Sequence, residues 1–121
     1  MNLPHLTCTH VPTRPDGLMG NMTHWRCRLT YEGRSMTLYY SMGSGHGSNE
    51  PGAMEVLGSL FMDASSASES FEDFCANCGY DTDSRTAEKI YKACTSISIR
   101  LRKLLGGAFD KLQELATEMG Y

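Results

Sequence analysis

Cys75 and Cys78 form a Cys-x-x-Cys pair, the spacing at which two thiolates share a zinc ion or exchange electrons as a dithiol. A zinc ribbon needs a second pair. Cys8, Cys27, Cys94, His10, His24 and His46 supply neither another CxxC nor an HxxxH. A redox pair places its first thiol at a helix N-terminus, whereas these two fall near an expected helix end among acids, which raise a thiol pKa. Both are therefore expected as half-buried apolar positions beside Phe71 and Phe74. Cys8-Thr9-His10 with His5 offers at most part of a metal site. Asp81-Thr82-Asp83 opens like a calcium loop, but Ser84-Arg85-Thr86-Ala87 lacks the third ligand, the glycine and the bidentate glutamate. Gly43-Ser44-Gly45-His46-Gly47 is glycine-rich yet has neither the Walker Lys-Ser/Thr nor GxGxxG, so it reads as a linker with His46 as a polar contact. With no GxSxG elbow and no nucleophile in a recognisable frame, a non-enzymatic protein without cofactor is expected.

Charge carries more information than any of these motifs. Residues 50–83 hold Glu50, Glu55, Asp63, Glu69, Glu72, Asp73, Asp81 and Asp83 and no Lys or Arg. The flanking stretches are mildly basic, so the overall −3 conceals a segregated distribution. Carboxylates along helices can occupy a basic groove on a partner, and Glu55, Asp63, Glu69, Glu72 and Asp73 are the candidate contacts. An acidic face that only keeps the protein soluble is the plainer reading. The alternative is nucleic-acid contact through Arg26, Arg28 and Arg34 with Tyr39 on a hairpin face, or through Arg100, Arg102 and Lys103 near a helix end. Three cations there also suit the helix dipole. A small zinc-binding protein is the third reading.

These residues must be positioned by a few elements. In residues 23–41, Trp25, Cys27, Leu29 and Tyr31, then Met36, Leu38 and Tyr40, alternate with polar residues at a period of two. With Glu32-Gly33 as a two-residue turn, Tyr31 faces Arg34, Leu29 faces Met36, Cys27 faces Leu38 and Trp25 faces Tyr40. Arg26, Arg28, Thr37 and Tyr39 then share the opposite side. Helices are expected over about 50–64, capped by Ser48 or Asn49 and broken by the run Ser65-Ser66-Ala67-Ser68, and over 70–78, opened by Ser70 and Asp73 and stopped by Gly79. Two more follow over 84–105 and 109–119, the last carrying Phe109, Leu112, Leu115, Ala116 and Met119. Residues 1–22, with three of the four prolines and no periodicity, read as an irregular arm, and 23–121 as one domain. The class is α+β: a small antiparallel hairpin or sheet packed with three to four helices. No apolar run spans a bilayer and the N-terminus is unlike a signal peptide, so a cytoplasmic protein without disulfides is expected.

The order of the W-R-C-R-L-T-Y-E-G-R-S-M hairpin, the M-G-S-G-H linker, V-L-G-S-L-F-M-D-A-S and S-F-E-D-F-C-A-N-C-G-Y-D-T-D-S-R resembles small proteins encoded by bacteriophages and prophages. The likeness covers roughly residues 23–105, with Gly79–Arg85 its most distinctive stretch, and carries no catalytic residue across. It implies phage origin, a place in the cytoplasm of an infected or lysogenic bacterial host, and membership of the anti-defence class that includes anti-CRISPR proteins. The expected partner is then a host defence complex such as CRISPR–Cas.

Overall fold

A computed structural model describes residues 2–43 and 49–121. The fold class is α+β. Three antiparallel strands, β1 (His5–Val11), β2 (Thr23–Tyr31) and β3 (Arg34–Met42), form a sheet in the order β1-β2-β3. Four α-helices follow among the described residues: α1 (Ala53–Ala67), α2 (Phe71–Cys78), α3 (Arg85–Leu105) and α4 (Phe109–Glu118), the last two joined by a 3-10 turn at Gly106–Ala108. The chain divides into two compact units, Met1–Val56 and Leu57–Tyr121.

The hairpin takes the register that its alternation predicts, with Tyr31 opposite Arg34, Leu29 opposite Met36, Cys27 opposite Leu38 and Trp25 opposite Tyr40. Glu32 (φ 48°) and Gly33 (φ 79°) both take left-handed backbone, the type I′ turn that matches strand twist. Trp25, Cys27, Leu29, Tyr31, Met36, Leu38 and Met42 are buried on one face. Arg34, grouped from the sequence with Arg26 and Arg28, is in register with that buried side instead. It lies at the end of the sheet beside the Glu32 carboxylate, 3.9 Å away.

The N-terminal arm is not irregular. His5–Val11 pairs along β2 from His5 opposite Thr30 to Val11 opposite His24. Its own alternation is thin, and pairing supplies what the pattern lacks.

In the second unit, local signals decide. The Ser70 side chain accepts a hydrogen bond from the Asp73 N–H, and Gly79 (φ 77°) closes α2 in left-handed backbone, with Tyr80 N–H donating to the Cys75 carbonyl. Ser84 caps α3 through the Ala87 N–H. α1 begins three residues later than expected: Gly52 occupies the cap, and Glu55 reaches back to accept its N–H at 3.3 Å. It also runs through Ser65, Ser66 and Ala67 before ending.

Leu57, Leu60, Phe61 and Ala64 of α1, Leu101, Leu104 and Leu105 of α3, and Phe109, Leu112 and Ala116 of α4 are buried in this unit. A smaller cluster gathers Phe74, Cys75 and Ala87 with Phe71, Ile90 and Tyr91. Met119, expected on the buried stripe of α4, lies beyond its end and is exposed. No helix among the described residues is long and apolar enough to cross a membrane.

Candidate functional site

The helix cap of α2 determines how its acids are presented. With Ser70 turning the backbone into the helix, Glu72 and Asp73 fall in the first turn, exposed, where the helix dipole favours negative charge. Glu69, half-buried, precedes the cap; its carboxylate accepts from Asn77 Nδ2 at 2.8 Å and its carbonyl accepts from the Tyr91 hydroxyl. Asp81 and Asp83 follow in the exposed turn after Gly79. Among the described residues, no Lys, Arg or His forms an ion pair with Glu72, Asp73, Asp81 or Asp83.

The five candidate acids are not alike. Glu69, Glu72 and Asp73 come together at the start of α2. Glu55 belongs to the first unit, where its carboxylate is engaged in the start of α1. Asp63 sits half-buried on α1, close enough to Cys94 to help burial push that thiol up to about 11. Asp81 and Asp83, which the five did not include, are exposed, as Glu72 and Asp73 are.

The cationic candidates also separate. The register places Arg26 between Thr9 and Tyr39, and Arg28 between Thr7 and Thr37, on the outer face of the sheet. Both arginines are exposed, and no strand residue on that face is acidic. Arg100, Arg102 and Lys103 lie on the second unit near the end of α3. The Arg102 guanidinium is laid over the Phe109 ring at 4.2 Å, a cation–π contact that gives it a role within its own unit.

One polar cluster had no signal in the sequence. His24 is 3% exposed, and its Nδ1 lies 2.8 Å from Ser41 Oγ. Arg14 donates to the same hydroxyl at 3.2 Å and holds Asp16 through two contacts, Nε to Oδ1 and Nη2 to Oδ2. Guanidinium only donates, so Ser41 Oγ accepts from Arg14 while also meeting His24 Nδ1, and one hydroxyl joins the two side chains. The chain braces residues 14–18 over one end of the outer sheet face.

Cys75 is buried and Cys78 exposed. Burial first, then Cys78, Glu72 and Asp81, raise the Cys75 thiol, the opposite of what a reactive or metal-binding pair requires. Among the described residues no group of three or more His, Cys, Asp or Glu is placed to hold a metal ion. His46 and Ser48 lie outside the described residues.

No protein-family model matches the chain, and no curated protein or solved structure is detectably similar to it.

Proposed function

We propose that this protein acts by binding, not catalysis, and presents the acidic edge of α2 and its following turn to a basic surface on a partner protein. The observation that carries this reading is the set Glu72, Asp73, Asp81 and Asp83: exposed, and without an ion-pair partner among the described residues. Carboxylates held on a capped helix and a short turn keep their spacing. They can therefore match a fixed array of cations and speed encounter with it. In its specific form the proposal is an inhibitor encoded by a phage and directed at a host defence complex, of the anti-CRISPR kind.

Capture of partners from bacterial lysate, with and without nuclease, tests the reading. A basic partner should survive nuclease and be lost when Glu69, Glu72 and Asp73 are reversed to Lys. Reversal also opposes the α2 dipole, at about 0.3–1 kcal/mol for each of the two first-turn acids. The neutral variant Glu72→Gln/Asp73→Asn separates that cost from lost contacts. Unchanged capture by both variants would sink the acidic-edge reading.

A second reading is favoured by the sheet register. Arg26 and Arg28, flanked by Thr7, Thr9, Thr37 and Tyr39, make a continuous outer face that could follow a phosphate backbone. It demands binding of single-stranded DNA or RNA by the protein alone, with a salt slope reduced by about two when both arginines become alanine.

A further inference from the structure

The five cysteines are reduced, but two of them touch. Cys8 Sγ and Cys27 Sγ lie 3.4 Å apart across β1 and β2, directly opposite in register. Hydrogen-bonding alternation makes this the right kind of pair. Tyr31 and Arg34 flank the two-residue turn and are therefore a hydrogen-bonded pair. Stepping back by twos, Leu29, Cys27 and Trp25 direct their backbone groups toward β3. Toward β1 they are non-hydrogen-bonded pairs, the type with Cα atoms about 4.5 Å apart and side chains closest. That separation falls within the range a disulfide spans, so the backbone need not move to close one.

We propose that Cys8 and Cys27 form a modification site: a latent cross-strand disulfide, closed by a small-molecule disulfide such as oxidised glutathione and reopened by a dithiol. Cys8 is the entry point. It lies on the edge strand and is partly exposed, whereas Cys27 is 1% exposed. The Cys8 thiolate attacks the small disulfide, forming a mixed disulfide and releasing one small thiolate. Cys27, after losing its proton, attacks the Cys8 sulfur, forms the protein S–S bond and expels the second small thiol. The protein loses two hydrogens and two electrons, and the oxidant becomes two thiols.

Burial raises both thiols; their mutual contact offsets part of this at Cys8 and adds to it at Cys27, and Glu50 raises both, so ionisation limits both steps and closure accelerates as pH rises. The pair is slow to react but well placed once Cys8 has reacted. Cys8 is the one other thiol of the first unit; Cys75, Cys78 and Cys94 belong to the second.

The test is intact-protein and peptide mass spectrometry of the full chain after incubation with oxidised glutathione in mildly alkaline buffer. The expected product has lost the mass of two hydrogens and yields a peptide cross-linked between Cys8 and Cys27. It should exceed the Cys8–glutathione adduct by at least about tenfold, because the second thiol is already at contact. In Cys27→Ser the adduct on Cys8 should persist, and in Cys8→Ser neither adduct nor cross-link should form at Cys27. A wild-type adduct that stays on Cys8 without closing would overturn the proposal. So would exposed Cys78 reacting while Cys8 and Cys27 both remain untouched.

Discussion

The two units of this chain are ordered by different kinds of information. In the second unit, each helix carries its own instructions. Ser70 and Ser84 start α2 and α3 from three residues away, and Gly79 stops α2 within one turn. In the first unit, a set of side-chain contacts reaches far along the chain. Cys8 meets Cys27 at a distance of 19 residues, Ser41 meets His24 at 17, and Arg14 meets Ser41 at 27. Local rules therefore build a surface that can be read and altered residue by residue. Long-range pairing builds a sheet in which one substitution is felt by distant partners.

The largest expected effect tests whether the helical unit depends on packing as strongly as on its caps. Leu101 is fully buried, and Leu101→Ala should cost about 2–5 kcal/mol in denaturant unfolding. In the sheet unit, Ser41→Ala leaves buried His24 and Arg14 short of a shared partner. It should cost about 1–3 kcal/mol, with hydrogen exchange rising at β2 and β3 and also in residues 14–18. If only β3 responds, the sheet is more local than its contacts imply. The caps come next: Ser70→Ala and Ser84→Ala should each cost about 1 kcal/mol, with loss of protection confined to the helix concerned.

Titration sharpens the same contrast with smaller effects. Cys94 is raised to about 11 by burial, then by Asp63 and Cys78. A thiol whose folded pKa is raised contributes stability that is fully present below its ordinary value, near 9.0, and is lost as pH climbs through 11. Cys94→Ala should flatten that alkaline loss. The smallest effect belongs to Glu88, lowered by its hydrogen bond to Lys92 at 2.9 Å and by that residue's charge. A carboxyl lowered in the fold stabilises above its ordinary 4.5, and the contribution is lost as pH falls through the lowered pKa. Both side chains are exposed, so Lys92→Met should alter the acid limb of the melting curve only at low salt.

The same division explains what the sequence makes legible. The hairpin register follows from two short alternating runs and one Glu-Gly turn, and α2 and α3 follow from caps and spacing. β1 is hidden because only Leu6, Cys8 and Val11 are even half-buried, and its partner lies beyond a stretch rich in proline and glycine. The start of α1 is missed because a glycine holds the cap and Glu55, read as a partner contact, turns back to it. Exposure of Glu72 and Asp73 is legible because the cap fixes the helix phase. The Arg14–Ser41–His24 chain is not, since three strands or loops must meet before those residues are neighbours.

Trp25 has a further consequence. It is the chain's single tryptophan, buried in the sheet with its ring edge-on to His10 at 5.3 Å, and its indole N–H has no hydrogen-bond partner among the described residues. The helical unit instead holds Tyr80, Tyr91 and Tyr121, the first two against Phe74. Indole fluorescence is thus a built-in optical label for one unit. Its emission should lie to the blue while the ring stays dry and move red as the strands part. A single melt, followed at the indole emission and by far-ultraviolet dichroism of the helices, records the two halves of the chain separately without any added dye.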